Sequence, residues 1–257
     1  KHKEHEMKSL EGKVAIVAGG GRDIGRATSV ALAAKGAKVV VNYFNNAEEG
    51  KATAAAIKDA GGEAILVAGD MTKQEDVDNL VAKALEAYGD SIDILVNVVG
   101  GLVARKTLAE ADADWFEYVM RLNLTTTFMT TKAVVPHMKN GGAIVNFASQ
   151  AGRDGGGPGA WAYASSKGAV QTLTRGLAKE LGPSGIRVNC ICPGMIATTF
   201  HDTFTKDEVR KNVAAATPLR REGVADEVAD LAVYLASPEA SFVTGTSVDI
   251  NGGTYFS

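Results

Sequence analysis

The chain has 257 residues and a formal net charge of −3, and it is 46% hydrophobic and 22% charged, with 29 glycines. This length and balance fit one α/β domain with a substantial core, and no apolar stretch is long enough to span a membrane. The basic residues are scattered along the chain, so we expect neither nucleic acid nor a membrane as a partner.

The cysteines and the first residues bear on the compartment and the domain boundaries. Cys190 and Cys192 are the only cysteines, too few and too close together for a disulfide framework or a metal cage. They indicate core thiols in a reducing compartment, so we predict a cytoplasmic protein without a metal. Residues 1–6 alternate charge and histidine ahead of Met7, and we interpret them as an appended tag. Residues 7–257 then form a single domain.

Strand and helix patterns alternate from the first apolar run onward. Each apolar run is followed by turn residues and then by a helical pattern. The predicted strand and helix pairs are Val14–Ala18 with Ile24–Lys35, Lys38–Tyr43 with Ala47–Ala60, Ala64–Ala68 with Gln74–Tyr88, and Ile92–Val96 with a long helical region near Asp112–Lys139.

The second half continues the alternation less regularly. Its predicted elements are strands at Ala143–Ala148, Arg187–Ile191 and Ser247–Ile250 and a helix near Ala160–Leu181. We therefore predict a single doubly wound Rossmann-type α/β domain, with about seven parallel strands and helices on both faces. Its ligand crevice should lie at the carboxyl ends of the strands. The least regular segment, Ala197–Arg221, lies where a substrate lid could be.

A glycine-rich turn, Gly19-Gly20-Gly21-Arg22-Asp23-Ile24-Gly25, follows the first strand directly. Glycines let a backbone approach a pyrophosphate, and the following helix offers its unpaired amide groups. The spacing differs from G-x-G-x-x-G, and such a run can also be only a tight turn. The strand before it and the helix after it favour a dinucleotide site.

Tyr163 and Lys167 lie about one helical turn apart, which places a phenol and an ammonium on one helix face. A tyrosine that exchanges a proton near neutral pH needs a positive charge beside it, so Lys167 is placed to lower the pKa of the phenol. Ser149, at the end of a preceding strand, would polarise a carbonyl oxygen. Taken alone, the pair also fits an ordinary helix with a surface tyrosine and lysine.

In their order along the chain, these motifs resemble the short-chain dehydrogenase/reductase family. The glycine turn resembles its Thr-Gly-x-x-x-Gly-x-Gly, and Asn97-Val98-Val99-Gly100 resembles its Asn-Asn-Ala-Gly. The residues that match its catalytic tetrad are Asn123, Ser149, Tyr163 and Lys167. The resemblance implies an NAD(P)H-dependent oxidoreductase acting on C=O and CH–OH groups, with Asn123 holding a water that relays the proton.

The chain departs from the family pattern at three places. Ala18 replaces a threonine, Asp23 replaces the second motif glycine, and Val98-Val99 replaces Asn-Ala. We expect Asp23 to act as the N-cap of the helix starting near Ile24, with Arg22 offsetting its charge beside a pyrophosphate.

The resemblance also implies the cofactor contacts. The residues it assigns are Gly19, Gly21, Arg22, Asp23, Ile24, Gly25, Asn42, Tyr43, Asp70, Met71, Asn97, Gly100, Tyr163, Lys167, Pro193, Gly194, Ile196 and Thr198. An acidic residue after the second strand would bind the adenosine ribose, and residues 42–45 contain none. With Arg22 as a phosphate partner, we predict that NADPH is preferred and that NADH remains possible. The alternative is that Arg22 contacts only Asp23.

Three polar or glycine-rich segments, at residues 100–105, 153–159 and 199–202, are predicted to converge above the nicotinamide. They resemble the corresponding loops of bacterial reductases of 4-deoxy-L-erythro-5-hexoseulose uronate, a keto-uronate from alginate. We therefore predict a small carboxylated carbonyl substrate that is reduced to 2-keto-3-deoxygluconate. The predicted substrate-binding residues are Arg105, Arg153 and His201 at the carboxylate, with Ser149 and Tyr163 at the carbonyl.

Other functions stay open at this point. The general pattern is also similar to 3-oxoacyl carrier-protein reductases and to other ketone reductases of the family. A nucleotide sensor without enzymatic activity gains some support from the departures in the loops, although the intact tetrad argues against it. The family further implies a homotetramer, formed through the helices that carry Asn123 and Tyr163.

Overall fold

A computed structural model describes residues 9–257, so the predicted tag at residues 1–6 lies outside the described residues. The strands are β1 (Val14–Ala18), β2 (Lys38–Tyr43), β3 (Glu63–Ala68), β4 (Ile94–Asn97), β5 (Gly142–Phe147), β6 (Ile186–Pro193), β7 (Ile196–Ala197), β8 (Gly223–Val224) and β9 (Ser247–Ile250). The helices are α1 (Asp23–Ala34), α2 (Ala47–Asp59), α3 (Gln74–Tyr88), α4 (Ala113–Met120), α5 (Thr126–Val134), α6 (Ala151–Asp154), α7 (Trp161–Leu181), α8 (Thr199–Phe204), α9 (Asp207–Ala216) and α10 (Ala225–Ala236).

Seven strands form one parallel sheet in the order β3-β2-β1-β4-β5-β6-β9. The order runs outward from β1 in both directions, so the chain changes its direction of winding between β1 and β4. The short strands β7 and β8 pair separately. This topology confirms the predicted doubly wound Rossmann-type domain, and it puts a ligand crevice at the carboxyl ends of β1 and β4.

Helices cover both faces of the sheet because alternate residues of each strand point to opposite sides. On one face, Val17 packs in a buried cluster with Leu32 of α1 and Val228 of α10. On the other face, Ile16 packs in a cluster with Leu80 of α3 and with residues of α5 and α7. The two apolar layers hold the strand ends, and therefore the loops that follow them, in fixed positions.

The long helical region predicted near Asp112–Lys139 is interrupted. It consists of α4, a π-helical turn at Arg121–Thr125, and α5. Asp112 caps α4, since its carboxylate accepts a hydrogen bond from Trp115 N (2.8 Å). π-helical turns occur frequently at functional sites, and this one carries Asn123.

Two parts of the C-terminal third differ from the prediction. The segment predicted as least regular, Ala197–Arg221, contains α8 and α9. The predicted elements omit α10, although its start and its buried stripe are visible in the sequence. Glu227 accepts a hydrogen bond from Val224 N (2.9 Å) at the start of this helix, and the buried Val228 and Ala232 recur at helical spacing.

Cys190 and Cys192 are buried free thiols on β6, as predicted. Within residues 9–257, none of the helices combines the length and the apolar character needed to cross a membrane.

Candidate active site

The loops at the carboxyl edge of the sheet are joined by main-chain hydrogen bonds. The loop after β4 is bonded to the end of β1 through Val98 N and Ala18 O (2.9 Å). The loop after β5 is bonded to the end of β6 through Gln150 N and Pro193 O (3.0 Å). The predicted dinucleotide loop and the predicted catalytic residues therefore belong to one continuous edge.

Lys167 is buried on α7 and reaches the end of β5. Its Nζ donates a hydrogen bond to Phe147 O (2.8 Å) and lies 5.7 Å from the centroid of the Tyr163 ring. Burial lowers the pKa of Lys167 to about 8, although the nearby thiols of Cys190 and Cys192 oppose this shift. The ammonium is thus held at the strand end, beside the tyrosine.

Tyr163 and Ser149 lie together at the same strand end. Burial raises the pKa of Tyr163, and a hydrogen bond with the Ser149 side chain opposes the rise. The expectation that Lys167 lowers this pKa is not met, because the ammonium is bonded to Phe147 O and the desolvation of the phenol dominates. Ser149 Oγ also accepts from Ala151 N (3.1 Å), which fixes the hydroxyl at the start of α6. A neutral phenol keeps the proton that a general acid needs.

Asn123 ties the loop after β4 to the π-helical turn. Its Nδ2 donates to Gly101 O (2.9 Å) and Val119 O (3.0 Å), and its Oδ1 accepts from Gly101 N (2.9 Å). A Cβ at Gly100 would stand 2.6 Å from Asn123 Oδ1 and 2.9 Å from Lys167 Nζ. Glycine at this position lets both side chains approach the loop. Both amide hydrogens of Asn123 donate to carbonyl groups of the protein. A water that relays a proton would therefore bond to the oxygen atoms of Asn123.

The glycine loop forms a surface made almost entirely of backbone at the start of α1. A Cβ at Gly25 would stand 1.9 Å from Gly19 O, so α1 packs directly on the loop. Among the described residues, the side chain of Arg22, the N-cap residue of α1, makes no capping hydrogen bond. The first amides of α1 are therefore open to an anion. This cradle fits the pyrophosphate of a dinucleotide.

The buried side chain of Asn42 stabilises the glycine loop. It is 1% exposed, its Oδ1 accepts from Gly19 N (3.0 Å), and its Nδ2 donates to Gly69 O (3.1 Å). Asn42 is one of the residues predicted to bind the cofactor, and its side chain is hydrogen-bonded within the protein. The ring of Tyr43, its neighbour, packs on α2, where a Cβ at Gly50 would stand 2.8 Å from Tyr43 Cδ1.

Arg26 and Thr53 hold the other side of the glycine loop and were not predicted. Both donate to Gly21 O, Arg26 Nη2 at 3.2 Å and Thr53 Oγ1 at 2.8 Å. Arg26 Nε also donates to Thr53 Oγ1 (3.0 Å). In the sequence, Arg26 is indistinguishable from a solvated arginine on the surface of a helix.

Asn97 belongs to a buried polar network beneath the site. Its Nδ2 donates to Asn146 Oδ1 (2.9 Å) and its Oδ1 accepts from Thr130 Oγ1 (2.6 Å), while Asn146 Nδ2 donates to Thr174 Oγ1 (3.0 Å). The network joins β4, β5, α5 and α7. Asn97 is one of the residues predicted to bind the cofactor, and its side chain is hydrogen-bonded within the protein interior.

Other residues predicted to bind the cofactor make contacts within the protein. Asp70 Oδ1 accepts from Thr72 N (3.0 Å), and Met71 is 2% exposed, so its side chain lies in the core. Gly194 N donates to Ile250 O (2.9 Å) after β6. The side chain of Ile196 is buried, and Thr198 is the N-cap residue of α8.

The contacts of Arg153 argue against its predicted role at the substrate carboxylate. Its Nε donates to Asp249 Oδ1 (2.8 Å), its Nη2 donates to Ser247 O (2.9 Å), and its side chain is only 12% exposed. A desolvated guanidinium already paired with a carboxylate is not available to a second one. Arg153 therefore fixes α6 to β9.

Arg105 connects the segment at residues 100–105 with the segment at residues 153–159 and with the end of α8, the helix that carries residues 199–202. From the loop after β4, its Nη1 donates to Pro158 O (2.8 Å) and its Nε to Phe204 O (3.4 Å) at the end of α8. Arg105 is exposed and has further N–H donors.

His201 lies on α8, and burial, assisted by the charge of Arg210, lowers its pKa. This shift of the pKa favours the neutral imidazole, and the ring Nδ1 lies 2.9 Å from Thr205 Oγ1.

Phe200 lies beside Tyr163 and was not among the predicted site residues, because its neighbours in the sequence are polar. Its ring centroid lies 5.9 Å from that of Tyr163, 5.0 Å from His201 and 5.3 Å from Phe204. An aromatic wall therefore covers Tyr163 from the side of α8.

Comparison with known proteins shows the family. The family model described as "Enoyl-(Acyl carrier protein) reductase" matches residues 18–255. The chain belongs to the short-chain dehydrogenase/reductase family. Proteins of this family are oxidoreductases that use NAD(P)(H) and act on carbonyl and alcohol groups, and their shared architecture explains the cradle next to Tyr163.

Three relatives give the extent of the similarity. This short-chain dehydrogenase/reductase is 39% identical over 250 residues to the uncharacterized oxidoreductase YgfF of Escherichia coli, covering 93% of this chain and 99% of the relative. It is 38% identical to the 3-oxoacyl-[acyl-carrier-protein] reductase of a Synechocystis species, with 96% and 98% covered. The crystal structure of a dehydrogenase/reductase from Sinorhizobium meliloti superposes with a TM-score of 0.89 at 35% identity, covering 96% of both chains.

Lys167→Met should raise the melting temperature of this short-chain dehydrogenase/reductase near neutral pH. Because burial lowers the pKa of Lys167 from 10.5 to about 8, the unfolded chain binds more protons than the folded chain between these values. The free energy of unfolding therefore rises with pH across that window. Methionine removes this titration, so the advantage of the variant should shrink as the pH rises from about 7 to about 10. Lys179→Met, at an exposed position of α7, is the control, and a constant advantage would contradict the assignment.

Proposed function

We propose that this protein reduces the carbonyl of a small polar molecule to an alcohol, with NADPH as the preferred hydride donor. The observation that carries the proposal is the meeting of Tyr163, Ser149 and Lys167 at one strand end beside a backbone cradle. A nicotinamide dinucleotide, when bound, supplies the hydride that reaches the carbonyl carbon.

The chain's own residues orient the substrate and move the proton. Ser149 and Tyr163 hydrogen-bond the carbonyl oxygen and hold it in one position. Tyr163, kept neutral by burial, then donates its proton to the developing alkoxide, while Lys167 stays bonded to Phe147 O beside the phenol ring. The Asn123 bonds to Gly101 keep the loop after β4 in place. An NADPH oxidation screen over uronates, small ketones and acyl thioesters tests this proposal.

The preference for NADPH rests on Arg22. Its side chain is 63% exposed, and its Nε stands 3.9 Å from Asp23 Oδ2, at the limit of an ion pair. The Asp23 carboxylate is itself bonded to Thr199. Arg22 is therefore available to a 2′-phosphate, which only NADPH carries.

Arg22→Ala should weaken NADPH binding about tenfold and leave NADH binding nearly unchanged. The free energy lost with a charge-assisted bond is at the low end of its usual range when the site is exposed. Dissociation constants from fluorescence titration measure this. Arg26→Ala is the matched control, because Arg26 holds the loop through Gly21 O and its loss should weaken both nucleotides alike. Equal losses in Arg22→Ala would mean that Arg22 only braces the loop.

For the substrate we propose a keto-uronate, 4-deoxy-L-erythro-5-hexoseulose uronate, which would be reduced to 2-keto-3-deoxygluconate. Support comes from Arg105, which bridges the loop at Pro158 and the end of α8 and remains exposed. His201 on the same helix adds a neutral hydrogen-bonding group. Arg153 no longer supports a carboxylate site, so the proposal rests on Arg105.

Arg105→Ala should lower kcat/KM for the keto-uronate by about tenfold to a hundredfold relative to a neutral ketone of similar size. The ratio of the two substrates isolates the carboxylate, because loss of the bonds to Pro158 O and Phe204 O loosens the loops for both. Arg105→Lys keeps the charge and should restore part of the ratio. An unchanged ratio would reject the carboxylate pocket.

A 3-oxoacyl-[acyl-carrier-protein] reductase is the second candidate, favoured by the 38% identity to the Synechocystis enzyme of that name. Reduction of a 3-oxoacyl group on a carrier protein, compared with the same group on a small thiol, tests it.

We also propose a cytoplasmic homotetramer. Tyr118 on α4 and Phe128 on α5, 48% and 47% exposed, flank Asn123 and offer apolar contact area, and light scattering after size-exclusion chromatography measures the assembly.

A further inference from the structure

Asp23 connects the glycine loop to α8. Its φ is 48°, in the left-handed region that residues other than glycine rarely adopt. Its carboxylate accepts one hydrogen bond from Thr199 N (3.1 Å) and another from the Thr199 hydroxyl. It does not act as the N-cap that the sequence predicted for α1, because that helix begins at Asp23 itself and Arg22 is the N-cap residue.

The helix held in this way carries the aromatic wall of the site. Thr199 is the first residue of α8, and Phe200, the next residue, stands 5.9 Å from Tyr163 between ring centroids. The helix has only six residues, and a helix of this length is not stable on its own. The position of Phe200 therefore depends on contacts from outside the helix.

The other polar ties to α8 act farther along it. Arg210 donates to Asp202, and Arg105 donates to Phe204 O at 3.4 Å. Arg210 is in turn held by Glu222 (2.7 Å and 2.9 Å). These ties fix the second half of the helix, whereas Asp23 fixes the residue next to Phe200.

We propose that Asp23 is a positioning residue that holds α8 so that Phe200 covers Tyr163, and that it thereby couples the order of this helix to the glycine loop. A dinucleotide that steadies the glycine loop steadies α8 through the same two bonds. By linkage, an ordered α8 favours dinucleotide binding by the same factor. The kinetic and NADPH parts of the test rest on the proposed function, whereas the exchange of the free protein does not.

Hydrogen exchange at residues 199–205, followed by mass spectrometry, tests the coupling. Asp23→Gly removes the carboxylate and places at a positive φ the residue that adopts it freely, so the fold should persist. Exchange in this segment should become at least about tenfold faster, because both bonds to Thr199 are lost and one charge-assisted bond alone accounts for about that factor. Thr199→Val keeps the backbone donor and should give a smaller increase. Asp226→Asn changes a carboxylate in the same surface groove and should change nothing at residues 199–205.

NADPH supplies the second comparison. In the wild type it should slow exchange at both the glycine loop and residues 199–205, whereas in Asp23→Gly only the glycine loop should be protected. In the same variant, KM for a carbonyl substrate should rise about tenfold with kcat within about twofold.

Unchanged exchange at residues 199–205 in Asp23→Gly would overturn the proposal. Faster exchange across the whole chain with a lowered melting temperature would overturn it as well, since that result describes a merely structural residue. A wild type that reduces no carbonyl would defeat the proposed function, and the exchange data would still decide the role of Asp23.

Discussion

Tyr163→Phe should lower turnover by about two to four orders of magnitude, which is the usual contribution of a positioned general acid. The change removes the proton donor and keeps the ring that packs against Phe200 and lies under Lys167 Nζ. NADPH affinity and melting temperature should therefore stay close to the wild-type values. Steady-state kinetics, nucleotide titration and thermal denaturation of the same preparation measure the three quantities.

The matched control for this variant is Tyr234→Phe, which removes a phenol hydroxyl from an exposed position of α10. It should retain wild-type turnover. Near-normal turnover of Tyr163→Phe would remove the phenol from the mechanism.

Among the glycine-to-alanine substitutions in the glycine loop, Gly25→Ala should impair nucleotide binding the most. The added Cβ would stand 1.9 Å from Gly19 O, and the atom it meets belongs to the backbone, which cannot turn aside as a side chain can. Either α1 or the cradle must move, at a cost of about 1–3 kcal/mol. NADPH affinity should fall at least about tenfold, and the melting temperature should fall with it.

Gly176→Ala is the control for helical glycines. It lies on α7, where an added Cβ meets nothing within 4 Å, so the substitution should raise stability by about 0.5–1 kcal/mol. Wild-type NADPH affinity in Gly25→Ala would show that the close packing of α1 on the loop is not needed for the cofactor site.

Local patterns were sufficient to predict the sheet, the glycine loop and the pair of Tyr163 and Lys167. Each of these depends on residues close together in sequence, either an apolar run before a turn or two side chains one helical turn apart. The helix α10 has such a pattern as well, with Glu227 at its start, and the prediction omitted it.

The roles of Arg153 and Asp23 could not be obtained in this way. Arg153 is paired with Asp249, 96 positions away, and Asp23 with Thr199, 176 positions away. A charged residue without a local partner has the same sequence signature whether it is paired in the fold or available to a ligand. Only the topology, which brings β9 and α8 to the loops, decides between these roles.

The pKa of Tyr163 shows a second limit of the sequence. A lysine four positions away predicts a lowered phenol pKa, whereas burial raises it and Lys167 Nζ is bonded to Phe147 O. Desolvation depends on the depth of the whole site, which spacing along one helix does not report.

The most direct test of the central claim is transfer of deuterium from NADPH deuterated at C4 of the nicotinamide, with products analysed by mass spectrometry. With a substrate found in the carbonyl screen, the wild type should place one deuterium on the new carbinol carbon, and Tyr163→Phe should form this product at least about a hundredfold more slowly. Saturable NADPH binding by the wild type without a deuterated alcohol from any uronate, ketone or acyl thioester would contradict the account and identify a nucleotide sensor instead.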